Sequence, residues 1–152
     1  MVYDNPVLLA DLVTLSLGDE HPFAMRAARI VSICCQGYPE LLTPFRRKII
    51  RQISRVKNEG ALRCILKIYA EVPMTFTTTE ESVLTNLCFD YLTSQNAAIA
   101  IKVFSMEILY RLTSKIPEIG LELYYIIENQ MPFASAGYKS KGQKIMKALA
   151  RM

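Results

Sequence analysis

The sequence predicts an all-α fold, a right-handed α-α superhelix of about three stacked helix pairs with a capping helix at each end. Three observations predict it. First, an apolar residue followed by Pro-Glu and an amphipathic run occurs twice, in GYPELLTPFRRKII (37–50) and KIPEIGLELYYII (115–127), with Pro39 and Pro117 78 residues apart. Second, Met25, Ala28, Ile30, Val31 and Cys34 upstream of one phrase fall opposite Val103, Met106, Ile108, Leu109 and Leu112 upstream of the other. Both sets have the three-and-four spacing that puts one apolar stripe on one helix face. Third, almost nothing alternates with the period of two that a strand requires.

Because 78 is twice 39, a copy is expected between the two phrases, and TTTEESVLTNLCFDYLTS supplies a degenerate one. A period near 40 with two helices per unit reads as a helical-repeat stack, in which neighbouring units together bury a continuous core. In chain order, Asn5-Pro6 opens a first helix that Gly18 closes. The first helices of the three pairs are predicted over 19–37, 58–72 and 96–114, with Asn58 and Asn96 as N-caps. The second helices start at Pro39, Thr78 and Pro117. Proline suits a first helical position because its missing N–H would have no partner there. The glutamates next to Pro39 and Pro117 sit at the positive end of the helix dipole. The middle start is written as Thr78-x-x-Glu81, a capping box. A last helix follows over 135–150, with Ser135 as its cap.

The segment DEHPFAMRAARIVSICCQGYPELL resembles a HEAT repeat, in which a proline opens the first helix, an Arg-x-x-Ala-like core follows and Pro-Glu-Leu-Leu opens the second. NAAIAIKVFSMEILYRLTSKIPEIG resembles the same pattern less closely, and the resemblance to the HEAT and armadillo-like repeat proteins covers residues 19–130. It implies a fold whose second helices line a concave surface, and it implies no activity.

At 152 residues the chain is expected to form a single domain, residues 1–152. No stretch of about 18 uncharged apolar residues is present, and the N-terminus lacks a basic leader, so a cytoplasmic protein without membrane contact is expected. Cys34, Cys35, Cys64 and Cys88 form no Cys-x-x-Cys pair and read as buried, reduced thiols. With one histidine, His21, and no metal-ligand spacing, no metal, cofactor or small-molecule substrate is predicted. No Gly-x-Ser-x-Gly, P-loop or Gly-x-Gly-x-x-Gly is present, so the chain is read as non-enzymatic.

Charge is unevenly placed. Residues 1–57 carry a net +3, residues 58–95 −3, residues 96–134 −1 and residues 135–152 +5. In the first basic cluster Leu41, Leu42, Phe45, Ile49, Ile50, Ile53 and Val56 occupy about half of a helix circumference. Arg47, Arg51 and Arg55 project from the other half, with Lys48 beside them. By the resemblance these arginines face a groove, where guanidinium groups at one-turn spacing suit a phosphate backbone or an acidic partner helix. Seventy-eight residues on, Tyr125 and Asn129 take the places of Arg47 and Arg51, among Glu118, Glu122 and Glu128. A groove tracking a polyanion would be basic along its length. A surface with Arg47, Arg51 and Arg55 at one end and Glu122, Tyr125 and Asn129 at the other fits a bipolar protein or peptide ligand better. The expected function is therefore a scaffold or adaptor binding a protein partner.

The alternative is nucleic-acid binding, with Lys144, Lys147 and Arg151 on the last helix as added contacts. Some HEAT-like proteins are DNA glycosylases acting on alkylated bases. That resemblance implies concave aromatics, notably Trp, with a carboxylate, and this chain has no Trp.

Overall fold

The computed structural model describes residues 5–152, and among them the regular structure is entirely helical. The chain divides into two compact units, Met1–Thr79 and Glu80–Met152.

In the first unit α1 (Pro6–Ser16) starts as its sequence dictates. Pro6 takes the first turn, and Asn5 Oδ1 accepts the Leu8 N–H at 3.2 Å. α2 (Phe23–Gly37) packs on both α1 and α4 (Glu59–Glu71). Its buried stripe is made of small side chains, Ala24, Ala27, Ala28, Val31, Ser32 and Cys35, which let both neighbours approach closely. α4 is capped by Asn58, whose Oδ1 accepts the Ala61 N–H at 2.9 Å. A Cβ on Gly60 would stand 2.7 Å from Met25 Cγ and Sδ, so the Met25 side chain fills the space that this glycine leaves open and would have to shift for a larger residue.

The second helix of the first pair departs from expectation. Pro39–Phe45 winds as a 3₁₀ segment, α3 spans only Arg46–Gln52, and Ile53–Arg55 tightens again to 3₁₀. Pro44 is the physical reason, since its ring would meet the carbonyl four residues back in an α-helix and it has no N–H to donate. Leu42, Ile49, Ile50, Ile53 and Val56 are buried as predicted, while Leu41 and Phe45 are half-buried. Ile30 was expected in the core stripe but is 40% exposed, whereas its repeat counterpart Ile108 is fully buried. Ile30 falls on the arc of α2 that neither α1 nor α4 covers.

The second unit contains α5 (Thr78–Thr93), apart from its first two residues, with α6 (Ile99–Leu112), α7 (Glu118–Gln130) and α8 (Ala136–Ala150). Thr78 is the first helical residue of α5 rather than its cap, one position inside the predicted start. α6 begins at Ile99 behind Ala98, not at Asn96. The Asn96 N–H donates to Ser94 Oγ at 3.2 Å, which holds this stretch as a turn. α6, α7 and α8 pack mutually. α6 buries Ile101, Ser105, Met106, Ile108, Leu109 and Leu112, a face wide enough for more than one neighbour. Ser135 caps α8 as predicted, its Oγ accepting the Tyr138 N–H at 3.3 Å. Polar ties lock the unit. Gln130 Nε2 donates to the Leu92 carbonyl at 2.8 Å, and the Tyr138 hydroxyl donates to Gln130 Oε1 at 2.6 Å. Lys141 pairs with Glu107, joining α8 to α6.

Two glycines of α8 separate packing from propensity. A Cβ on Gly142 would lie 3.0 Å from Ile127 Cγ2 and 3.1 Å from Met131 Sδ, whereas one on Gly137 meets nothing within 4 Å. Gly142→Val is expected to destabilise by about 1–3 kcal/mol through overpacking. Gly137→Ala is expected to stabilise by up to about 1 kcal/mol through helix propensity. Urea unfolding followed by circular dichroism measures both.

Candidate interaction surfaces

α3 is held in place by the cations that flank Arg47. Arg46 Nη2 donates to the Thr75 carbonyl at 2.7 Å, and Lys48 Nζ donates to Thr14 Oγ1 at 2.5 Å. Arg47 and Arg51 lie one turn apart on this helix, and Arg55 lies in the 3₁₀ turn after it. All three are exposed, and none has a hydrogen bond or ion pair among the described residues. Lys48, expected beside them as part of the basic face, is instead half-buried against α1.

In the second unit Glu122, Tyr125 and Asn129 are exposed along α7. Tyr125 is 55% exposed and meets Tyr124 edge-on, with ring centroids 6.2 Å apart. Leu121 beside it is 65% exposed. Glu118 and Glu122 line a cleft of about 540 Å³ with Thr85, Asn86, Phe89 and Asp90 of α5. Asn129 lines a larger cleft of about 780 Å³, with Lys102, Gln95 and Phe133 among its walls. Phe133 is 91% exposed. Lys144, Lys147 and Arg151 are exposed on and just after α8.

The arginine set therefore belongs to the first unit and the Glu122–Tyr125–Asn129 set to the second, each a coherent surface on its own helix. Reading single helices missed the share of α5. Its signal was the four-residue spacing of Asn86 and Asp90, which repeats that of Glu118 and Glu122. Phe133 left a weaker sign, an aromatic directly after Pro132 between two helices.

Burial disfavours the thiolate at all four cysteines. Burial pushes Cys35 and Cys88 from 9.0 up to about 12, the Ser105 side chain only partly offsetting the rise at Cys88. Cys34 and Cys64 are half-buried rather than buried and are also raised by burial. The His21 ring is exposed, with Nδ1 3.3 Å from the Asn58 side-chain amide. Among the described residues no group of three or more His, Cys, Asp or Glu side chains is placed to hold a metal ion. No helix there is long and apolar enough to cross a membrane.

The repeat architecture has a match at the level of sequence families: the model of the HEAT repeat domain matches residues 1–149. The chain belongs to the HEAT repeat domain family. No curated protein and no solved structure matches it. As a HEAT repeat protein it is a helical-repeat scaffold, whose exposed helix faces are its candidate working surfaces.

The buried thiols predict a reactivity order and a pH dependence. At pH 8 iodoacetamide should modify Cys34 and Cys64 before Cys35 and Cys88, which should react only on unfolding. Between about pH 9 and pH 12 the unfolded chain loses thiol protons that the folded chain keeps, so stability should fall as pH rises. Alkylation mapped by mass spectrometry and melts from pH 8 to pH 10 check both.

Proposed function

We propose that this chain is a non-enzymatic cytoplasmic adaptor, acting as one domain over residues 1–152 and binding a protein or peptide partner without any cofactor. The observation that carries the reading is the division of labour around α3. Arg46 and Lys48 spend their charge holding the helix, while Arg47, Arg51 and Arg55 remain solvent-facing and unpaired among the described residues. Exposed guanidinium groups without internal partners suit bidentate pairing with the carboxylates of a ligand. Glu122, Tyr125 and Asn129 would take a different part of the same partner, with Tyr125 as the aromatic anchor that interfaces favour. The acidic α5–α7 cleft supports a protein ligand over a polyanion, because Asp90, Glu118 and Glu122 would repel phosphates.

A second reading, nucleic-acid binding of the HEAT-like alkylation-repair type, draws on α8. Lys144, Lys147 and Arg151 are exposed in a segment that has five basic residues and no acid.

Capture from cell lysate with and without nuclease, using wild type and the Arg47→Glu, Arg51→Glu double variant, separates the two. A partner that survives nuclease and is lost with the double variant is the expected result. Partners that all vanish with nuclease, or a variant that binds as well as wild type, would overturn the protein-binding reading.

A further inference from the structure

α2 presents to solvent a stripe that its repeat pattern does not need. Phe23, Arg26, Ile30 and Ile33 follow one another at three- and four-residue steps along its outer face, and the three apolar members are 53%, 40% and 62% exposed. Beside it α4 carries Arg63, exposed, and Lys67, half-buried, one turn apart. The Met25–Gly60 contact brings the two helices close together. Burial raises the Cys64 thiol, and Arg63, Arg29 of α2 and Lys67 all pull it the other way, so cations of the two helices converge on it. Among the described residues Arg26, Arg29, Arg63 and Lys67 have no hydrogen bond or ion pair. The acids of this region stand at the helix ends, Asp19 and Glu20 before α2, Glu59 and Glu71 at the two ends of α4.

The apolar half of this surface does not help the fold, since the exposed isoleucines and phenylalanine forgo the gain that burial would bring. Arg63 and Lys67 repel each other one turn apart, with Glu59 and Glu71 one turn beyond them on either side. We propose that the outer faces of α2 and α4 form a second docking surface, and that its occupant is an acidic amphipathic helix of a partner protein. Phe23 to Ile33 spans about 15 Å, matching about three turns of a docked helix. Apolar residues of that helix at i, i+3 or i+4, and i+7 would cover Phe23, Ile30 and Ile33. Its flanking Asp and Glu would meet Arg26, Arg29, Arg63 and Lys67. A nucleic acid would use the cations but leave the apolar stripe uncovered. This surface is separate from Arg47, Arg51 and Arg55 and does not depend on their role.

The test uses the full chain and a labelled peptide with Leu at i, i+3, i+4 and i+7 on a Glu-rich helix, read by fluorescence anisotropy. A scrambled peptide of the same composition and a single-stranded oligonucleotide of equal charge are the comparators. The patterned peptide should bind at least about tenfold more tightly than either. Arg29→Glu with Arg63→Glu, and separately Ile33→Ser, should each weaken it by about tenfold or more. Arg47→Glu with Arg51→Glu should weaken it less than Arg29→Glu with Arg63→Glu does. Circular dichroism melts confirm that each variant is folded, and Arg26→Gln replaces the double reversal if that one is not. Equal binding of patterned and scrambled peptides, tighter binding of the oligonucleotide, or indifference to the α2 and α4 variants would overturn the proposal.

Discussion

Everything in this chain depends on one constraint: no helix here can bury its apolar face within its own pair. α2 meets it with small residues, Ala24, Ala27 and Ala28 at 0%, 2% and 0% exposure, wedged between α1 and α4. α6 meets it with larger ones, Met106, Ile108 and Leu109, all at 0%, shared between α7 and α8. Neighbour-to-neighbour burial of this kind makes stability a sum of adjacent interfaces. It also leaves the remaining arc of each helix available for other work.

That remaining arc explains why the surfaces differ. α3 is only seven residues long because Pro44 forces a 3₁₀ lead-in. A helix so short is marginal alone, and Arg46 and Lys48 bind it to the segments around it. α7 has no such defect. It runs thirteen residues on Ile119, Leu123 and Ile127, so its outer face carries Glu122, Tyr125 and Asn129 without structural duty. The same logic exposes Ile30. Repeat position alone would bury it, as it buries Ile108, yet the first unit places no neighbour over that arc of α2.

Much of the architecture was legible because its signals are local. Asn5, Asn58 and Ser135 cap where they were expected to, since N-cap chemistry needs only a side-chain oxygen and an N–H three residues on. Asn96 misled because its own N–H is held in a turn by Ser94 Oγ and the helix starts only after Ala98, and the fate of Pro44 turns on a clash that periodicity does not register. The basic and acidic faces were visible as charge at helical spacing. The contribution of α5 to the acidic cleft and the convergence of α2 and α4 cations were not, because both arise from contacts between helices. Which cations are spent internally is likewise a tertiary fact, as Arg46 and Arg47 are neighbours in sequence with opposite assignments.

Hydrogen exchange along the whole chain tests the packing account most directly. Amides of α2 from Ala27 to Val31 and of α6 from Met106 to Leu109 should exchange most slowly within their units, and those of α3 should exchange faster than either. Protection in α3 equal to that in α2, or slowest exchange in α1, would contradict the claim that helices covered by two neighbours hold each unit together.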